Sequence, residues 1–268
     1  MRRIQLFEIH DQRWFPTFLR DHVTDALQII LTFGHLYKSI THRLEKALGN
    51  ARTRRVVDLC SGAGGPWLSL CRTIEQETGE PIDVCLTDKY PNAAAFIRAN
   101  STSRSSIRFL TDPVDAMRIP SKLSGFRTLF TAFHHFRPDD ARAILQNAVD
   151  SRQGIGVFEA PGRRALTISL VFLMPITYLV VLPFVRPFQW SRMIASYLIP
   201  VIPFVLWFDG IVSCLRTYSL RELRELTAKL GDGTYHWEIG EENGSSLPVS
   251  VTYLIGCPEN AVAMPVAK

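Results

Sequence analysis

The chain has 268 residues, of which 47% are hydrophobic and 21% charged, with a formal net charge of +5. This is a globular composition with room for one large domain, or one domain with an insertion. A positive charge of this size does not by itself indicate a nucleic-acid partner, because it would suit an anionic membrane surface equally well. The five cysteines form no CxxC pair, so we expect no disulfide framework, no metal site and a reducing compartment.

The first fifty residues are predicted to form helices. Apolar residues recur at near-helical spacing across 4–50, Pro16 suits a first helical turn, and Gly34 marks a break before a second helix. The main interpretation is a helical cap packed on a core. The alternative is an arm containing Trp14 and Phe15 that contacts a membrane or gates the substrate.

From Arg55 onward, short apolar runs alternate with helical segments. The runs RVVDLC, IDVCLTD, SIRFL, FRTLFTAFHHF and GIGVFEA predict strands of a parallel α/β sheet with helices on both faces. Further on, Ser219 and Glu222 form a capping box at a helix start. The runs YHWEIGE and SVTYLIGCP then predict a final antiparallel pair around GSSLP, with His236 a strand residue without chemistry.

The stretch VVDLCSGAGGPW is the most informative part of the chain. Glycines between a buried strand and a helix let a ligand approach the backbone, and the helix dipole adds positive charge there. A dinucleotide GxGxxG motif fails here, because Trp67 stands where the third glycine belongs. Asp58 at the end of the strand would repel a diphosphate ligand, whereas it would accommodate a cationic one.

In these residues the chain resembles the class I S-adenosylmethionine-dependent methyltransferases. Their first motif is D-x-G-x-G-x-G, and this chain has Asp58, Gly62 and Gly64 in place, with Cys60 where the first glycine is usual. The resemblance continues through acids after strands two and three and an apolar fourth strand ending in His. Arg127 departs from the pattern, since an acid often starts that strand. The likeness covers roughly 50–160 and 215–257.

The resemblance implies a fold, a cofactor and a site. The fold is α/β: a doubly wound, mostly parallel, seven-stranded Rossmann-like sheet with N-terminal helices and an inserted hydrophobic helical hairpin. The cofactor is S-adenosylmethionine, with ribose hydroxyls held by the acid of strand two and adenine beside the acid after strand three. The implied cofactor-binding residues are Asp58, Cys60, Ser61, Gly62, Gly64, Asp88, Lys89, Asp115 and Ala116.

Structural alternatives exist for the acids of this set. Asp58 would then cap the adjacent helix, Asp88 and Lys89 would form a surface pair, and Asp115 would be a turn residue. The predicted domains are a cap at 1–50, a cofactor-binding core at 51–160 and 215–268, and the hairpin at 161–214.

Four residues are candidates for catalysis: His134, His135, Glu159 and Asp209. The two histidines either pack and form hydrogen bonds, or one is a general base in the acceptor pocket. Glu159 ends strand five, at the edge where open α/β sheets bind ligands. Asp209 lies in an apolar run, where an acid is costly. It either lies near the acceptor, at a bent FDG junction, or pairs with an arginine such as Arg216.

The stretch 165–185 contains no charged residue, and as a helix it would rise about 31 Å, enough to span a bilayer core. A second apolar run follows at 193–215. Three arrangements are open. The pair spans the membrane with Arg186 and Arg192 on the far side and Trp190, Tyr197 and Trp207 at the interfaces; it dips into one leaflet; or it forms a soluble lid or dimer interface.

The sequence therefore predicts a membrane-associated methyltransferase with its catalytic domain in the cytoplasm. The expected partner is a hydrophobic or lipid-like small acceptor that enters from the bilayer, and no nucleic acid is expected. The alternatives are an RNA or protein methyltransferase, and a non-catalytic membrane scaffold. The methylated atom and the oligomeric state are left open.

Overall fold

The computed structural model describes residues 2–33, 35–103, 106–185, 187–231, 233–244 and 249–259. Predictions at Gly34, at Arg186 and in most of the GSSLP turn lie outside these ranges. The helices are α1 (Thr17–Phe33), α2 (Thr41–Asn50), α3 (Trp67–Thr78), α4 (Ala93–Thr102), α5 (Pro138–Asp150), α6 (Ala165–Val181), α7 (Trp190–Met193), α8 (Val201–Arg216) and α9 (Leu220–Thr227). The strands are β1 (Arg55–Asp58), β2 (Asp83–Leu86), β3 (Ile107–Phe109), β4 (Phe126–Phe130), β5 (Ile155–Glu159), β6 (Tyr235–Asn243) and β7 (Ser250–Pro258).

The strands form one seven-stranded sheet in the order β3-β2-β1-β4-β5-β7-β6. The first five pair in parallel, and β7 runs antiparallel to both β5 and β6. The order is that of a doubly wound sheet with one antiparallel strand inserted before the last edge. The predicted fold class is therefore confirmed, as are the antiparallel pair and the Ser219–Glu222 capping box.

The hydrophobic core has three parts. One cluster joins α2, α3 and α4 to one face of the sheet, and a second joins α5 and α9 to the other face. Both faces are covered, which is why every residue of β4 and β5 is buried. The third cluster lies outside the sheet and joins α1 to α6 and α8. The apolar insertion is thus held by the N-terminal helix.

Two local predictions were wrong. Residues 4–16 are not helical: α1 begins at Thr17, directly after Pro16, and the preceding segment satisfies its backbone groups through distant side chains. The fourth strand also ends earlier than FRTLFTAFHHF suggests. Thr131 has a left-handed backbone (φ 47°), and a 3-10 turn at Phe133–His135 follows. The two histidines therefore leave the strand and turn over its end.

The second apolar run does not form one helix. Its first half, Trp190–Leu198, meets α8 at an angle of 70° across a short break at Ile199 and Pro200. Pro200 lacks the N–H that a continuing helix would use, and it disfavours helical geometry at the residue before it. The predicted bend at FDG is wrong, because these residues lie within the continuous α8.

Candidate functional site

The glycine-rich loop between β1 and α3 adopts the shape that its sequence predicts. Gly62, Gly64 and Gly65 all have positive φ, at 55°, 103° and 53°. Cys60 also has a positive φ, of 57°, so the usual glycine position keeps its left-handed backbone even though a cysteine occupies it. The other departure from the motif lies away from the loop, because Arg127 donates to Asn147 on α5.

The acids after β1, β2 and β3 converge on this loop. Asp88 accepts hydrogen bonds from the backbone N–H groups of Gly62 (2.7 Å) and Tyr90 (2.8 Å). Lys89 donates to Asp115 at 3.1 Å, so this pair lies beside Asp88, while Ala116 next to it is buried. The register of β1 on β2, with Asp58 opposite Leu86, brings the ends of both strands to one edge. The predicted cofactor residues are therefore neighbours.

Asp58 lies at the centre of this edge and is only 1% exposed. Its Oδ1 accepts a hydrogen bond from the Thr128 hydroxyl at 2.6 Å, and Ser61 bonds to its backbone carbonyl. Burial raises the pKa of Asp58 to about 6. A buried acid without a cationic partner is a candidate for ligand binding rather than for stability.

The loop lies in a strongly negative field. Burial raises the pKa of the Cys60 thiol well above its ordinary value, and carboxylates of Asp88, Asp58, Asp11 and Asp115 act in the same direction. Four acids around one loop favour a cation and disfavour a diphosphate. The residues therefore fit a sulfonium cofactor better than a dinucleotide, as the sequence predicts.

We expect Asp58→Asn to flatten the pH dependence of stability. The folded state binds a proton on Asp58 up to about pH 6, whereas the unfolded chain releases it near pH 4. Wild-type stability therefore falls as pH rises through this window. Relative to the variant, wild type should lose about 2 kcal/mol of unfolding free energy between about pH 4.5 and about pH 7.5. Urea titrations at both pH values measure it. Asp112→Asn, at an exposed acid, is the control, and equal slopes for all three proteins would contradict the prediction.

The candidate catalytic residues at the ends of β4 and β5 form a buried pair. The Glu159 carboxylate lies 2.6 Å from His134 Nδ1, and its other oxygen accepts the backbone N–H groups of Ala132 (3.1 Å) and Phe133 (2.6 Å). Burial alone would lower the pKa of His134, but the carboxylates of Glu159 and Glu8 together outweigh it and raise the pKa to about 9. The histidine is therefore held in one orientation by a fixed carboxylate.

An N-terminal segment, residues 2–16, covers this pair. Glu8 is 1% exposed, and its Oε1 accepts from Ser213 (3.1 Å) and from Arg216 (3.2 Å). Asp11 lies 2.6 Å from Nδ1 of His135. The sequence analysis missed both acids. The local signal was the run EIHD at 8–11, in which three of four residues are ionisable ligand types.

Asp209 belongs to the same region, with partners that the sequence did not predict. Its carboxylate accepts the backbone N–H of Ile9 (2.7 Å) and of His10 (3.1 Å), and it lies 2.7 Å from His10 Nδ1. The predicted pairing with Arg216 is wrong, because that arginine bonds to Glu8 instead. The hydrogen bonds that Asp209 accepts from the N-terminal segment explain why an acid lies in this apolar helix.

Helix α1 lies directly over the glycine loop. A Cβ placed on Gly62 would lie 3.8 Å from the Thr24 side chain, and one on Gly64 would lie 3.6 Å from the Gln28 amide. Asn92, which caps α4 beside the loop, donates to Thr24 at 3.2 Å. Side chains of α1 therefore pack against the backbone of the glycine loop.

A large surface cleft lies elsewhere. It has a volume of about 1120 Å³ and is lined by residues that begin β1 and β2, such as Arg55 and Asp83. This is the opposite edge of the parallel strands from the loop and its acids. Open α/β sheets bind ligands at the carboxyl ends of their strands, so we do not assign the cofactor to this cleft.

No family model matches the chain, and no curated protein matches its sequence. Among solved structures, a putative Zn-dependent alcohol dehydrogenase from Rhodobacter sphaeroides matches with a TM-score of 0.51 and 11% identity, over 90% of this chain and 98% of that one. LepI in complex with SAM matches with a TM-score of 0.45 and 18% identity, over 80% and 46%. The O-methyltransferase NcsB1, in complex with S-adenosylmethionine and 2-hydroxy-5-methyl naphthoic acid, matches with a TM-score of 0.43 and 17% identity, over 90% and 62%.

The chain therefore spans about half of LepI and less than two thirds of NcsB1. Methyltransferases are among the matched structures, as the motif predicts, and the likeness is one of fold alone. At this level a dehydrogenase and a methyltransferase are equally compatible with the sheet. The choice between them depends on the residues of the loop.

Proposed function

We propose that the chain is an S-adenosylmethionine-dependent methyltransferase that acts on a hydrophobic or lipid-like small molecule at a membrane surface. The observation that carries the cofactor assignment is the glycine loop in the field of four carboxylates. A sulfonium is attracted to such a site, whereas the diphosphate of a dinucleotide is repelled. The residues proposed to hold the cofactor are those of the loop, with Asp88 for the ribose and Asp115 beside the adenine.

Methyl transfer from a sulfonium is an in-line displacement, so the protein contributes chiefly alignment. Orientation of two bound reactants is worth about 7–11 kcal/mol. The acceptor would lie at the ends of β4 and β5, where the loop, His134 and Glu159 share one edge of the sheet. His135 and Asp209 belong to the same region through the N-terminal segment, and all four remain candidates for the acceptor side.

The apolar insertion supports the membrane part of the proposal. By length and composition one helix, Ala165–Phe184, is able to cross a membrane, but the core helix of a soluble protein passes the same test. Only 17% of its apolar window is buried here, so it is no ordinary core helix. Exposed apolar side chains lie along this helix and continue through the following residues to the start of α8. They are Leu166, Phe172, Leu173, Ile176, Val180, Phe184, Phe188, Trp190, Ile194, Tyr197, Leu198, Ile199 and Phe204.

This arrangement favours a hairpin that lies in one leaflet over one that spans the bilayer. Arg192 is 3% exposed and lies 3.4 Å from Asp25 of α1, which in turn accepts from Arg98 of α4 at 2.8 Å. The arginine predicted for the far side of a membrane is thus tied to the sheet domain. In α8, nine residues are buried. The outer face of α6 is therefore the surface offered to lipid.

Methyl transfer to extracted molecules tests the whole proposal. Purified chain in mild detergent, given S-adenosylmethionine labelled on its methyl group and a total cell extract, should place label in the organic phase, with the acceptor identified by mass. Label in RNA or protein would promote the alternative methyltransferase. Failure to bind the cofactor at all would favour the non-catalytic scaffold. At limiting S-adenosylmethionine the Asp88→Ala variant should show much less transfer than wild type, and Asp83→Asn at the other end of β2 is its control.

We expect Phe172→Ser, Ile176→Ser and Val180→Ser together to release the chain from vesicles. Each side chain is at least 50% exposed on α6, and its partial burial in lipid is worth on the order of 1 kcal/mol. The three substitutions together should lower partitioning of the chain onto vesicles on the order of 100-fold. Sedimentation with phosphatidylcholine–phosphatidylglycerol vesicles measures this partitioning. Ile97→Ser on α4 is the matched control, because that isoleucine is 57% exposed and Ile176 is 59% exposed. Unchanged sedimentation with a changed oligomeric state would assign the face to a second copy.

A further inference from the structure

The N-terminal segment brings ligand-type side chains against the ends of β4 and β5. We call these residues the histidine–carboxylate cluster: Glu8, His10, Asp11, His134, His135, Glu159 and Asp209. Three come from the segment, three from the ends of the strands and one from α8. The methyl-transfer proposal explains the place of the strand-end residues and uses Asp11 as one of the carboxylates near the loop, but it gives no role to the buried Glu8.

Two buried atoms in the cluster have no hydrogen-bond partner among the described residues: Glu8 Oε2 and His134 Nε2. Both residues are 1% exposed, so water does not replace the missing partners at the surface. An unpaired buried polar atom costs about 1–3 kcal/mol, and native structures keep few of them without a ligand or an ion. The two atoms belong to neighbouring side chains, which indicates one shared missing partner.

The spacing of these atoms matches a metal site. One ligand atom each of Glu8, His134 and His135 lie within 4.8 Å of one another. His134 Nε2 is 3.5 Å from Glu8 Oε1, and His135 Nδ1 is 3.6 Å from Glu8 Oε2. Ligands at about 2.1 Å from a tetrahedral zinc ion are separated by about 3.4 Å. The cluster is therefore close to the required dimensions without rearrangement of the backbone.

Glu159 supplies the support that a metal-binding histidine needs. Its carboxylate lies 2.6 Å from His134 Nδ1, so a proton on that nitrogen is shared with the carboxylate and the lone pair of Nε2 is free for a metal. Two backbone N–H groups fix Glu159 in turn. Carboxylate–histidine–metal arrangements of this kind set the tautomer and the direction of the ring.

Asp11 marks the side from which an ion would enter. It lies 2.6 Å from His135 Nδ1 and its side chain is 37% exposed, whereas the other carboxylates of the cluster are at most 6% exposed. An ion bound between these side chains would contact the unpaired atoms of Glu8 and His134.

We propose that Glu8, His134 and His135 bind a divalent transition-metal ion, with the fourth position open on the side of Asp11. Two imidazoles and one carboxylate favour zinc, iron or manganese over magnesium or calcium, which prefer oxygen alone. The inference differs from the expectation drawn from cysteine spacing, because no cysteine is involved. It does not rest on the proposed methyl transfer, since a metal would bind whether or not the cofactor site is used.

Metal binding to the full chain, without a polyhistidine tag, tests the proposal. Chelator-stripped protein is titrated with Zn²⁺ by calorimetry and with Co²⁺ by visible absorption, and retained metal is measured by mass spectrometry after dialysis. We expect about one equivalent to bind, with the visible bands of low-coordinate Co²⁺. Binding should raise the melting temperature, because Glu8 joins the segment to the sheet domain.

The variants separate this site from surface binding. Glu8→Gln and His135→Gln should each weaken zinc binding at least about 10-fold, and Glu159→Gln, which acts through His134, about 10–100-fold. His236→Gln, at an exposed histidine of β6 paired with Glu259, is the control and should match wild type. If Glu8→Gln fails to fold, His135→Gln at the more exposed ligand gives the same reading. Absence of binding by folded wild type, or equal binding by all variants, overturns the proposal.

Discussion

Asp88→Ala should lower the affinity for S-adenosylmethionine about 100-fold, and Asp88→Asn about 10-fold. Asp88 is the acid that follows β2, and it already orients the glycine loop through the backbone N–H of Gly62. A carboxylate that accepts hydrogen bonds from two ribose hydroxyls contributes about 1.5–3 kcal/mol, which is a factor of about 10 to 150. The asparagine keeps one acceptor oxygen and loses the charge, so its effect is the smaller one. Titration calorimetry at fixed salt measures both.

The control for this prediction is Asp83→Asn. Asp83 begins the same strand, at the other edge of the sheet, where it pairs with Arg108 on the surface. Surface ion pairs of this kind contribute at most about 1 kcal/mol to stability. We therefore expect Asp83→Asn to leave the cofactor affinity unchanged. NAD⁺ titrated into wild type completes the experiment. Tight binding of NAD⁺ with no binding of S-adenosylmethionine would contradict the argument from Asp58 and favour a dehydrogenase-like ligand.

The parts of the site that the sequence predicts correctly are local. Asp58 and Gly64 lie within one stretch of seven residues, and the spacing of its glycines predicts the backbone conformation of the loop. The family resemblance implies acids after strands two and three, and because strand ends in a parallel sheet fall on one edge, these acids lie near the loop. Even Cys60 kept the left-handed backbone, because the surrounding loop imposes it.

The parts that the sequence did not predict depend on contacts between distant residues. Asp209 bonds to a segment about two hundred positions earlier, and Arg192 bonds to Asp25. Hydrophobic periodicity in the sequence does not predict such pairs, because the partners lie in an irregular segment and in α1. The same reason explains why residues 4–16 were assigned to a helix. The spacing of their apolar residues favours a helix, but hydrogen bonds to Asp209 of α8 fix their backbone in an irregular conformation.

Arg216 is a buried residue that contacts the N-terminal segment. It is 4% exposed, and its guanidinium donates to Glu8 at 3.2 Å and to the backbone carbonyls of His134 and His135. It therefore joins the end of α8, the turn after β4 and the N-terminal segment. Removal of one partner from a buried ion pair leaves an uncompensated charge, which costs about 3–5 kcal/mol.

We therefore expect Arg216→Gln to lower the free energy of unfolding by about 3–5 kcal/mol in urea titrations monitored by circular dichroism. The double variant Arg216→Gln, Glu8→Gln should recover part of this loss, because it removes the stranded carboxylate along with its partner. Arg221→Gln is the control: that arginine is 83% exposed, on α9, and its loss should cost less than about 0.5 kcal/mol. A cost for Arg216→Gln no larger than that of the control would mean that the N-terminal segment is not held by this ion pair. The segment would then be fixed by its other contacts, which include Asp209 with the backbone of Ile9 and His10, and Asp11 with His135.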